Sequence, residues 1–116
     1  MLSLSSSAEI LLYREPTDMR KSFDGLAGIV REQLGREPTD GSIFLFLNRR
    51  QDRLKLLYWD RDGLALWYKR LEAGSFERIQ RGDQAAICID ATELSMLLGG
   101  VSLGDVKRRK RYQAVA

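Results

Sequence analysis

The 116 residues are 44% hydrophobic and 30% charged, which suits one globular domain able to bury a core and leaves no room for a second. With no histidine and a single cysteine, the chain cannot build a Cys/His zinc site, a Ser-His-Asp triad, a Cys-His pair or an internal disulfide. The net charge of +3 hides an uneven distribution: five cations stand together at Lys107, Arg108, Arg109, Lys110 and Arg111, and taking those five from nineteen leaves fourteen basic against sixteen acidic residues, a balance of −2.

Neither a basic leader nor a long apolar run opens the chain, and no eighteen apolar residues run together anywhere, so neither a signal peptide nor a membrane span is predicted and the expected location is the cytoplasm. Glu9 to Arg14 (EILLYR) reads as a first strand that ends at Pro16. A helix is expected next, capped by Thr17 or Asp18, because Met19, Phe23, Leu26, Val30 and Leu34 recur at helical spacing and Gly35 supplies a stop. Gly25 and Gly28 inside that helix each cost about 0.8 to 1 kcal/mol relative to alanine, which predicts a sheet packed close against its backbone.

Arg36 to Gly41 is a turn-rich loop. Ile43 to Leu47 (IFLFL) is apolar on both faces and suits a central strand. Asn48 to Asp52 links it to a hairpin, Arg53 to Trp59 and Leu64 to Leu71, whose turn Asp60-Arg61-Asp62-Gly63 can draw positive φ angles from Asp-Gly. Alternation places Leu64, Leu66 and Tyr68 on one face and Ala65, Trp67 and Leu71 on the other, so either helices cover both faces or one face meets a partner. Phe76 to Gln80 is a further extended candidate, and Ala86 to Ile89 leads into a second helix. There Asp90 and Glu93 form a capping-box pattern, Leu94, Leu97 and Leu98 form the buried stripe, and Gly99-Gly100 ends it. Cys88, within AAICI, is expected in the core. The sum is an α+β fold: one domain over residues 1–105, an antiparallel meander with two main helices on one side, and a basic arm over 106–116.

Cofactor chemistry finds no purchase. The phosphate-binding pattern G-x-x-x-x-G-K-[ST] is missing, and Gly25-Leu26-Ala27-Gly28 falls within a helix whose amides are engaged. Asp60 and Asp62 could join Asp18 or Asp24 around a divalent metal for phosphoryl transfer, but aspartate is equally an ordinary turn and cap residue. Cations supply the stronger pattern. Arg49, Arg50 and Arg53 cluster at one hairpin end, Arg61 sits at the other, Lys69 and Arg70 follow Trp67-Tyr68, and Arg20-Lys21 opens the first helix. Such residues suit phosphates, with Trp59, Trp67 or Tyr68 as stacking faces. The arm from Lys107 to Arg111 is either a further phosphate contact or a solvated end.

Thr17-Asp18-Met19-Arg20-Lys21, Phe23-Asp24-Gly25-Leu26, Asp60-x-Asp62-Gly63-Leu64 and Tyr68-Lys69-Arg70-Leu71-Glu72 in combination resemble the accessory TnpB-type proteins of the insertion sequence 66 family, from about Leu11 to Leu98. One departure stands out: family members commonly carry Trp-Pro shortly after the position of Phe76, where this chain reads Glu77-Arg78-Ile79. The resemblance implies a protein that assists transposition beside a large transposase with an acidic catalytic triad without being the recombinase itself. Expected partners are that transposase, DNA and a possible second copy of the chain. The expected contacts are Arg20, Lys21, Arg49, Arg50, Lys69, Arg70 and the arm; the alternatives are a nuclease using Asp60 and Asp62, or a structural subunit dimerising through an apolar sheet face.

Overall fold

The computed structural model describes residues 8–101 and 103. The arm over 106–116 lies outside the described residues. Seven elements follow in chain order: β1 (Ile10–Tyr13), α1 (Phe23–Gln33), β2 (Ile43–Leu47), β3 (Arg53–Asp60), β4 (Gly63–Arg70), β5 (Ala86–Ile89) and α2 (Ala91–Gly99). They make one five-stranded sheet in the order β4-β3-β2-β1-β5.

The α+β expectation holds, and β2, β3 and β4 form the antiparallel meander read from the sequence. The sheet as a whole is mixed. β1 and β2 run parallel, with Ile10 opposite Ile43, because α1 carries the chain back across the sheet between them, whereas β5 returns antiparallel to β1.

The helices cover opposite faces rather than one. Leu26, Ala27 and Val30 of α1 pack with Leu11, Phe44, Phe46 and Leu57. On the other side Leu94 and Leu97 of α2, with Leu71 and Phe76, pack against Ile10, Leu12, Ile43, Leu45, Leu54, Leu56, Ile87 and Ile89. This two-sided cover explains why all five residues of IFLFL are buried: alternate side chains enter different cores. It also removes most of the apolar sheet face expected to dimerise.

α1 begins four residues later than the spacing suggested. Asp18 does not cap it; its carboxylate accepts the Arg20 amide at 2.9 Å within a separate loop, and Met19 reaches the α1-side core from that loop. Ser22 is the N-cap and contributes no side-chain hydrogen bond. The glycines also have another explanation. A Cβ on Gly25 would stand 3.1 Å from the Lys21 Cβ and Cγ, so this position admits the incoming loop rather than the sheet, while nothing lies within 4 Å of one on Gly28. Gly35, at φ +63°, does end the helix.

At α2 the capping box is complete: Asp90 accepts the Glu93 amide at 2.7 Å, and Glu93 accepts the Asp90 amide at 3.1 Å. Gly100 closes the helix at φ +79°. At the β3–β4 turn Arg61 takes the positive φ, +55°, in place of the Asp-Gly pair. Phe76 to Gln80 is not a strand; Phe76 is fully buried, anchored by its amide to the Gln51 carbonyl at 2.6 Å. Cys88 is exposed, not core: it sits on the edge strand β5 opposite Leu11. No helix among the described residues is long and apolar enough to cross a membrane.

Candidate functional site

Two loops meet at the end of the sheet where β2 finishes and β3 begins. The first, Thr17 to Ser22, is tied to that end by the Thr17 amide, which donates to the Leu47 carbonyl at 2.8 Å. Lys55 holds its other half. Although buried in β3, its Nζ donates to the carbonyls of Met19 at 2.9 Å and Lys21 at 2.7 Å, and lies 4.6 Å from the centre of the Tyr68 ring. Two charge-assisted hydrogen bonds and an aromatic face offset the cost of burying that ammonium. Within the loop the Arg20 guanidinium folds onto Asp18, with a shortest contact of 2.7 Å. Those hydrogen bonds, from the Arg20 side chain and then its backbone, hold the Asp18 carboxyl down at about 2.

The second loop, Asn48 to Asp52, is organised by one side chain. Asn48 Oδ1 accepts the amides of Asp52 and Arg53, both at 3.0 Å, while Nδ2 donates to the Asp52 carboxylate at 2.6 Å. Gln51 adopts φ +61°, a left-handed conformation costly for a residue with a Cβ, and its carbonyl anchors Phe76. The loop is therefore held from within by Asn48 and from below by the core. Arg49 and Arg50, at its tip, are exposed and have no ion-pair partner among the described residues.

Between the loops lies an open cleft of about 440 Å³ lined by Asp18, Arg20, Arg49, Arg50 and Arg53 among others. Arg53 donates to the Tyr68 hydroxyl at 3.2 Å, which links the cleft to an aromatic ring that is 45% exposed. Thr17 also lines the cleft, and its Oγ1 is buried with no hydrogen-bond partner.

Of the residues expected from the sequence, Arg20, Arg49 and Arg50 thus line one cleft, whereas Lys21 does not line it and packs its stem over Gly25. Arg70 stands opposite Arg53 in the β3–β4 ladder but is ion-paired with Glu72 at 2.8 Å. Lys69 stands opposite Leu54, so it belongs to the α2 side of the sheet and away from the cleft. Lys107, Arg108, Arg109, Lys110 and Arg111 lie outside the described residues. Among the aromatics, Trp67 packs against the α2-side core, whereas Trp59, 37% exposed, and Tyr68 remain open.

Lys55 is the contributor that sequence reading missed, and its signal was present: a charge at an inward position of the otherwise apolar run RLKLL. A larger cleft, about 610 Å³, neighbours the first and includes Arg14 and Arg81. Two of its three arginines are engaged: Arg14 donates to the Gln84 and Arg81 carbonyls at 2.7 and 2.8 Å, and Arg81 pairs with Glu93 at 2.6 Å, while Arg78 is exposed with no ion-pair partner among the described residues. Asp60 and Asp62 stand at the far tip of the β3–β4 hairpin, Asp18 at the cleft end and Asp24 in the first turn of α1. Among the described residues no three His, Cys, Asp or Glu side chains group to hold a metal ion.

The family model described as IS66 Orf2 like protein matches residues 8–108. The uncharacterized protein y4jC of Sinorhizobium fredii (strain NBRC 101917 / NGR234) is 36% identical over 118 residues, covering all of both chains. The uncharacterized protein y4hO of the same strain is 36% identical over 101 residues, 87% of each chain. No solved structure matches the chain.

Proposed function

The chain belongs to the IS66 Orf2-like family, whose membership implies an accessory role in transposition, and on that premise we propose that it is a non-catalytic DNA-binding accessory of its element's transposase, acting in the cytoplasm. DNA phosphates are the ligand, met at the cleft by Arg49 and Arg50 with Arg20, Lys21 and Arg53 around them. One observation carries this reading: two independently braced loops converge their guanidinium groups, and the two at the tip are not consumed by ion pairs among the described residues. Cations held out on a rigid frame contact phosphates without first breaking internal pairs. Arg70, paired with Glu72, and Lys69, on the other face, stay outside the cleft contact, and Lys107 to Arg111 extend it along the backbone.

Titrating full-length protein with duplex DNA across a range of salt concentrations tests the cleft. Each phosphate contact contributes about 0.9 to the slope of log affinity against log salt, so Arg49→Ala with Arg50→Ala should flatten it by about 1.8 and weaken unrelated DNA sequences alike. A double variant with the slope of the parent protein removes the cleft from consideration. Removal of Lys107 to Ala116 tests the arm separately.

A further inference from the structure

The sheet has one long open edge. β4 is eight residues with β3 on one side and no described strand on the other, while the opposite edge, β5, has only four. Every second residue of such an edge presents an amide and a carbonyl outward, a template for another strand. Natural edges are usually blunted by charge, proline or a bulge. From Leu64 to Tyr68 β4 has neither charge nor proline, and its register with β3 is unbroken from Arg53–Arg70 to Asp60–Gly63.

We propose that β4 pairs edge to edge with β4 of a second copy, antiparallel, about a two-fold axis at Leu66. In an antiparallel ladder, directly opposed residues point to the same face, so a two-fold axis through the sheet must set some residue opposite itself. Three centres near the middle of the eight-residue strand keep most of it paired. A centre at Ala65 sets Asp62 against Tyr68, and one at Trp67 sets Leu64 against Arg70, both mismatched. The centre at Leu66 sets Leu64 opposite Tyr68 and Ala65 opposite Trp67, and brings Asp62, in the turn just before the strand, beside Arg70 at the strand's other end.

The choice of a second copy rests on this charge complementarity. The tip, Asp60-Arg61-Asp62, carries a net −1 and the other end of the same hairpin, Lys69 and Arg70 with Glu72, a net +1, so Arg70 is shared between Glu72 at 2.8 Å and the incoming Asp62. Reversing one copy against another brings each tip to the partner's basic end twice, by symmetry. Pairing in this register also gives Tyr68, 45% exposed, an aliphatic neighbour across the new strand boundary.

Sedimentation equilibrium of the full-length chain without DNA, together with circular dichroism to confirm folding, provides the test. The chain should dimerise at or below about 0.1 mM. Asp62→Arg and Arg70→Asp should each weaken the dimer about tenfold, because two pairs become repulsive, and the double variant should recover to within about threefold of the parent. In a Cys88→Ser background, Leu66→Cys should form an intermolecular disulfide on mild oxidation, since facing Cα atoms at about 4.5 to 5.5 Å fall within disulfide reach. A chain monomeric at 0.1 mM, a dimer indifferent to the single reversals or unrecovered by the double one, or a Leu66→Cys protein that does not cross-link would each overturn the pairing.

Discussion

At the end of the sheet where β2 begins, Arg36 is held by Glu9 at 3.2 Å, Asp40 at 3.1 Å and the Ser42 hydroxyl at 2.9 Å; at the opposite end Arg49 and Arg50 have no ion-pair partner among the described residues. The first arrangement ties the loop after α1 to the start of β1 and consumes its charge in doing so. At the second end the bracing is done by other groups, Asn48 and Lys55, so the arginines stay available. A net charge near neutrality therefore says little about binding. The informative quantity is which cations are already paired, since an exposed pair contributes little stability but withholds its charge from a ligand.

The largest effect that can break this contrast lies in Lys55. Replacing it with alanine leaves the Met19 and Lys21 carbonyls without their donor and removes the stem beneath the Arg20 loop, which should cost about 2 to 4 kcal/mol in urea unfolding. A loss under about 0.5 kcal/mol would mean the loop is held by something else. Asn48→Ala comes next. It deletes three hydrogen bonds at a strained turn, so about 1 to 2 kcal/mol is expected, together with weaker DNA binding although no cation has changed. Unaltered DNA affinity in a destabilised Asn48→Ala protein would separate bracing from binding.

Both braces illustrate how far the sequence could be read. The meander was legible because IFLFL and the DRDG turn are local signals, and α2 because its capping box spans four residues. α1 was displaced because the spacing of Met19 and Phe23 fits a helix, yet Met19 reaches the same core from a loop that Lys55 holds from more than thirty positions away. The parallel pairing of β1 with β2 and the split of the helices across two faces likewise depend on how α1 crosses the sheet, a tertiary choice that periodicity does not encode. At the candidate site, Arg49 and Arg50 were visible as adjacent cations. That Arg20 meets them, that Lys69 lies on the other face, and that Arg70 is engaged by Glu72 follow only from register and loop packing.

The smallest effect sharpens the contrast from the paired side, at α2. Glu93 accepts from the Arg81 guanidinium at 2.6 Å and from the Asp90 amide, and those contacts, Arg81 first, outweigh partial burial and pull its carboxyl below the ordinary glutamate range. A carboxyl lowered on folding adds stability that is fully present above its unfolded value and fades as pH falls through the folded one. The window therefore opens just below the ordinary glutamate value and extends to more acid pH. Glu93→Gln keeps a capping-box residue at the same helix position but removes the charge. Unfolding free energies of the two proteins from urea titration should differ by less than about 1 kcal/mol at pH 6 and converge toward pH 3. The same comparison for Arg49→Ala with Arg50→Ala should show no such convergence, because those arginines are paired with no titrating group among the described residues; a pH-dependent gap there would reveal a carboxylate partner and undo the distinction between the two ends.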